Sequence, residues 1–169
     1  MNRRIFVEKK GLFDVESPKV LDELKMILPG IQSVKVYNIY DVFQLSDEDF
    51  NKVLHSTFVD PVTDELHLEN PAKELFLATE FLPGQYDQRA DSAEQCIALL
   101  TDNEKAEVRS GKLYVFSGIV DSDLPIIESH LVNKVESQEK DLSVLEIPKQ
   151  ELPRPIKYHK DLLLGIKNS

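Results

Sequence analysis

A four-residue pattern occurs twice in this chain, as Gly11-Leu12-Phe13-Asp14 and as Gly84-Gln85-Tyr86-Asp87, 73 positions apart. At that offset each copy follows a strand-like run, precedes an amphipathic helical stretch and leads to a second strand-like run. Leu24 stands over Ile97 and Ile27 over Leu100, so candidate core positions superpose. A half-domain of this size exposes an apolar sheet face that it cannot cover alone, and two halves gain by burying it together.

Local signals place the elements. Ser17-Pro18 reads as a hydroxyl cap with proline at the first helical position, followed by Val20, Leu21, Leu24, Ile27 and Leu28 until Pro29-Gly30. Ser46 with Asp49 resembles a capping box before a short helix carrying Phe50, Val53 and Leu54. A third helix runs from Asp87 or Asp91 to Leu100, with Ala90, Ala93 and Ile97 on one face. A fourth follows Asp121-Ser122 through Ile126, Ile127 and Leu131, its early Pro125 tolerated where first-turn amides lack partners. Alternating β-branched and aromatic runs mark strands at Ile5–Glu8, Val34–Tyr40, Leu75–Phe81 and Lys112–Phe116, with a minor strand at Leu66–Leu68.

The expected fold is therefore α+β: a ferredoxin-like, pseudo-two-fold repeat of two strand-helix-strand halves, each a right-handed crossover, with extra helices on the periphery. Helices would cover one sheet face and leave the other free for a partner. Residues 1–147 form one domain on this reading. After Val135 the composition shifts to Glu, Lys, Gln and Pro, and 148–169 reads as a Pro-containing linker or tail.

A chain of 169 residues, 41% of them hydrophobic, can bury a core without a metal or disulfide, and its single cysteine, Cys96, fits a reducing compartment. The start shows no signal-peptide pattern and no apolar run approaches membrane-spanning length, so a cytoplasmic, membrane-free setting is expected. Net charge of −10 repels a phosphate backbone, which argues against nucleic acid as a partner.

The segment Leu82–Cys96 is unusually polar for the entry to a core helix. Gly84, Gln85, Asp87, Gln88, Arg89, Asp91 and Ser92 crowd a helix N-terminus, where free amides attract anions, and they are the candidate ligand or interdomain contacts. The plainer reading is favoured: Asp91 caps the helix, Arg89 pairs with an acidic neighbour and the glutamines face solvent. Cys96 sits mid-helix among apolar residues and reads as a small buried hydrophobe, so a hydrolase built on it is the weakest hypothesis. His55, His67, His130 and His159 are scattered singly, with no metal-pair spacing; His55 and His130 read as residues at a core margin. No Walker-type loop, GxGxxG or GxSxG occurs. The reading assigns no catalytic residue and no metal site to this chain.

The stretch LPGQYDQRADSAEQCIALL, Leu82 to Leu100, resembles the N-terminal domain of phosphoribosylformylglycinamidine synthase in its large, single-chain form. Arg3–Glu16, Val34–Val42 and Leu131–Leu142 are similar to that family too, so the resemblance covers roughly residues 2 to 155. It implies one part of an ATP- and magnesium-dependent purine-biosynthesis ligase that takes ammonia from glutamine. The family's N-terminal domain resembles a fused pair of the small subunit found in split forms. The synthetase and glutaminase parts would be the partners, and a homodimer is one alternative for the isolated chain. ATP, magnesium and the glutaminase chemistry belong to segments with no counterpart in these residues, and Cys96 does not inherit the glutaminase role. The alternative is a ferredoxin-like regulatory module that holds an anionic small molecule near Asp91-Ser92.

Overall fold

The computed structural model describes residues 2–146. The tail expected at 148–169, its junction after 147, and His159 lie outside the described residues. Six strands, β1 (Arg3–Lys9), β2 (Ser33–Phe43), β3 (Asp64–His67), β4 (Phe76–Phe81), β5 (Glu107–Ser117) and β6 (Ser137–Glu139), form one antiparallel sheet in the order β3-β1-β2-β5-β4-β6. Four helices, α1 (Glu16–Lys25), α2 (Asp47–Val53), α3 (Gln88–Thr101) and α4 (Leu124–Leu131), complete an α+β architecture. All four pack on one sheet face because the strands alternate: Ile5, Val7, Tyr40, Val42 and Val108 meet Phe50, Val53, Ala93 and Ile97 of α2 and α3. At the other end of that face, Val34, Val36, Leu77, Tyr114 and Phe116 meet Val20 and Leu24 of α1 and Ile127 of α4. Leu24, Ile97 and Ile127 are completely buried, each worth about 1.5–3 kcal/mol in transfer terms.

Several local expectations shift by a residue or a role. Ser17 lies inside α1, where its hydroxyl accepts from the Val36 amide at 2.9 Å, while the Asp14 carboxylate takes the Ser17 amide at 3.0 Å. Ser46 does cap α2, accepting from the Asp49 amide at 3.1 Å, and the chain continues through a π-helical turn at Leu54–Phe58. Asp87 caps α3, and Asp91 is buried one turn further on. Leu24 and Ile97 are core, but Ile27 and Leu100 are about two-fifths exposed, because α1 stops at Lys25 and the last turn of α3 overhangs the sheet.

The two strand-helix-strand segments are present, as β1–α1–β2 and β4–α3–β5. Within each, however, the strands are neighbours and antiparallel, Arg3↔Val42 and Phe76↔Val115 being representative pairs. A right-handed crossover joins parallel strands, so these segments do not form the split crossovers of a ferredoxin-like sheet. A uniform shift of 73 also fails inside the strands. Ile5 faces the helices, whereas Ala78, 73 residues on, packs on the opposite face with Phe6, Ile39 and Leu113.

That opposite face is not free. The chain beyond Val135, where the composition shifts, adds β6 to the sheet edge and then crosses the face, with Leu142 packed on the Phe6 cluster. The Arg4 guanidinium chelates Asp41 at 2.6 and 3.0 Å and donates to the carbonyls of Leu142 and Val144 at 2.6 Å. Lys140 reaches Asp41 at 2.8 Å and Glu80 at 3.0 Å. Asp41 and Lys140 are both buried, a position that ionised groups tolerate only when paired in this way.

Gly111 lies under this crossing, and a Cβ there would come within 2.6 Å of the Thr79 carbonyl oxygen of the neighbouring strand. Gly111→Ala is expected to cost about 1–3 kcal/mol of stability in urea unfolding, since backbone cannot yield as a side chain can. Gly30→Ala, with open space around it, is the control and should change stability by less than about 1 kcal/mol.

Candidate functional site

The polar loop before α3 is built from its sequence in short steps. Gly84 takes φ of 88°, a left-handed conformation that suits glycine, and the Gln85 amide closes the turn onto the Leu82 carbonyl at 3.0 Å. Asp87 then accepts from the Ala90 amide at 3.0 Å, from the Ser110 amide at 2.8 Å and from the Ser110 hydroxyl at 2.6 Å. This one carboxylate caps the helix and ties it to β5. Asp91 accepts from the Tyr86 hydroxyl and from Gln95, each at 3.0 Å. The bond to Asp91 holds the Tyr86 phenol above its ordinary pKa. Gln85, Gln88 and Ser92 are exposed.

Of the seven candidates, Arg89 alone reaches a hollow, and it does not pair with an acidic neighbour as expected. Its Nη1 lies 3.4 Å from the Tyr40 hydroxyl, and it forms no ion pair among the described residues. The hollow has a volume of about 360 Å³, opens to solvent and is lined by β1, β2, the π-helical turn, the loop into β3 and the start of α3. That is the low end of the range for small-molecule sites. Lys9 in its wall is neutralised by Asp64 at 2.7 Å, and the buried Oδ1 of Asn38 has no hydrogen-bond partner. Among the described residues lining the hollow, Arg89 is a cation with no ion pair, within the field of Glu16 and Asp87.

Cys96 is half-buried and accepts from the Thr57 hydroxyl at 3.1 Å. His55 lines the hollow and is exposed; His130 is exposed and 3.6 Å from Glu23. Neither sits against the core. The histidine that does find company is His67, whose Nε2 lies 2.8 Å from Glu8. Donor atoms of Glu8, Glu65 and His67 all fall within 4.8 Å of one another. A usable signal was present: Glu65 and His67 alternate on a strand and so share a face.

With this geometry in hand, no protein-family model matches the chain and no curated protein matches it. Among the described residues no helix is long and apolar enough to cross a membrane.

The loop before α1 is anchored like the loop before α3. Asp14 accepts from the Ser17 amide and from the Lys35 ammonium at 2.9 Å. Burial opposes ionisation of Asp14, but the bonds from Ser17 and Lys35 outweigh it and hold the carboxyl below its usual 3.8. Burial likewise opposes the charge on Lys35, and its bonds to Asp14 and Glu8 outweigh that, raising it above 10.5. A depressed carboxyl stabilises the fold above its unfolded pKa and loses that contribution as pH falls through the folded one. A raised ammonium contributes below its unfolded pKa and loses this as pH climbs through the folded value. Asp14→Asn should therefore flatten the fall in urea midpoint as pH drops below about 4. It should lower stability at neutral pH by about 1 kcal/mol, through loss of a charge-assisted cap.

Proposed function

We propose that this chain is the N-terminal assembly domain of a large, single-chain phosphoribosylformylglycinamidine synthase, acting in the cytoplasm. It docks the synthetase and glutaminase parts and does no chemistry alone. The observation that supports this reading is a correspondence of buried positions between its halves. Three shifts relate them: helix-facing Ile5 stands over Leu77, buried Leu24 over Ile97, and helix-facing Val34 over Val108, at 72, 73 and 74 residues. The second half thus carries one more residue on each side of its helix. Those two insertions keep corresponding strand positions on the same sheet face and leave the β4·β5 register equal to that of β1·β2. A paired half-domain of this kind is what the resemblance implies, with antiparallel neighbours in place of ferredoxin-like crossovers.

The related loops strengthen the reading. Each has a glycine at positive φ, Gly11 and Gly84, and an aspartate that accepts from the amide three residues on. Each presents apolar surface: Leu12 fully exposed, Phe13 and Val15 more than half, and Tyr86 and Phe81 about two-fifths. Because β1 and β4 run in opposite directions, these tips lie at opposite ends of the sheet, which suits a domain held between two partners. ATP and magnesium act in those partners.

The test is reconstitution. Added to a synthetase–glutaminase protein that lacks this region, the chain should form a complex and restore glutamine-dependent ligase activity. Leu12→Glu with Phe13→Glu should weaken that complex at least tenfold while leaving the fold unchanged by circular dichroism. Absence of both complex and activity removes the proposal.

Arg89 beside the hollow favours a second reading, a regulatory module for an anionic small molecule. Calorimetry of the isolated chain with phosphorylated purine-pathway intermediates separates the two. Binding that Arg89→Ala abolishes supports regulation; binding only in the presence of the other parts supports assembly.

A further inference from the structure

On the sheet face away from the helices, β1 and its edge neighbour β3 place Glu8 directly opposite Glu65, and Phe6 opposite His67. The side chains of Glu8, Glu65 and His67 therefore project to the same side, and their donor atoms lie within 4.8 Å of one another. Like charges directly opposite on antiparallel strands repel, so this pair costs stability unless a cation lies between them. An edge strand gains from a charge that discourages further pairing, which accounts for Glu65 alone. It accounts neither for a second carboxylate facing it nor for an imidazole two residues along.

Neighbouring basic groups reach Glu8 and leave Glu65 without an ion pair among the described residues. Lys35 lies 3.3 Å from Oε2 of Glu8, but its ammonium is also held by Asp14 at 2.9 Å and by the Lys9 carbonyl at 3.1 Å. Glu8 Oε1 is turned the other way, 2.8 Å from His67 Nε2. No ion pair joins Glu65 to a basic side chain among the described residues. Tyr37, across from Glu8 on β2, packs edge-on against the His67 ring with centroids 5.7 Å apart, which steadies the imidazole.

We propose that Glu8, Glu65 and His67 bind one divalent first-row transition-metal ion, zinc fitting best. One imidazole nitrogen with two carboxylate oxygens suits zinc, manganese or cobalt rather than calcium, which prefers an all-oxygen shell of six or more ligands. An ion about 2.0–2.2 Å from each donor brings those donors to roughly 3–4 Å from one another. Side-chain rotation about the observed positions suffices for that. Glu65 is exposed and Glu8 and His67 are half-buried, so the site opens to solvent and water completes the shell. The ion would neutralise the facing carboxylates and fasten β3 to β1. The assignment does not depend on the docking role of the domain.

Zinc chloride titrated into the metal-free full chain should show, by calorimetry, one saturable site per chain. Affinity should fall at least tenfold in Glu65→Gln and in His67→Gln. Glu65→Gln is the more telling variant because an exposed side chain of the same shape leaves the fold intact. Cobalt(II) should give visible absorption bands of low coordination number that Glu65→Gln removes and Cys96→Ser leaves in place. Zinc should also raise the thermal unfolding midpoint of the parent chain and not of Glu65→Gln. Zinc binding that is absent, or that survives Glu65→Gln undiminished, overturns the assignment.

Discussion

The register of β2 against β5, running without a break from Ser33↔Ser117 to Phe43↔Glu107, governs most of what surrounds it. Side chains on a strand alternate between faces, so this one long ladder decides which residues meet the helices and which meet the segment after β6. Val34, Val36, Tyr40 and Val42 fall on one side with Val108, Tyr114 and Phe116, and they create the floor on which the helices settle. Ile39 and Leu113 fall on the other with Phe6 and Ala78. A slip of one residue would exchange the faces and set Lys35, Arg109 and Asp41 against the helices, with no partners there to receive their charge.

Two kinds of interaction complete the molecule, and they divide by face. The helical side is held mainly by apolar burial and by polar side chains that fasten the starts of α1 and α3 to the sheet, Ser17 through the Val36 amide and Asp87 through Ser110. The opposite side is held by a buried relay of charge, Arg4 to Asp41 to Lys140 to Glu80, which secures the crossing of Leu142 over the Phe6 cluster. Such a relay adds less to stability than its distances suggest, because each ion gives up hydration. Its stronger effect is positional: a segment poor in large apolar residues is fixed across the sheet by where its charges must go.

The same economy explains the polar loop before α3. A dense set of acidic and amide side chains at a helix start looks like a site for a ligand, yet Asp87 and Asp91 spend their acceptor capacity within the domain. What the loop leaves available is Arg89 beside its hollow and the aromatic edge of Tyr86. The bonds of Asp87 and Asp91 fix the start of α3 against β5 and against Tyr86.

The helix start at Ser46, the proline near the start of α4, four of the strands and the correspondence of Leu24 with Ile97 were legible in the amino-acid order. Each depends on residues within a turn or two of one another, where capping, proline geometry and apolar periodicity act. Strand partnership, the faces of the strands, the burial of Lys140 and the meeting of Glu8 with Glu65 and His67 were not. They depend on contacts across tens of residues, for which no local energy is decisive. The offset of 73 marks the difference: it holds in the helices, where the sequence imposes its own period, and gives way to 72 and 74 in the strands. There only the assembled sheet fixes which way a side chain must point.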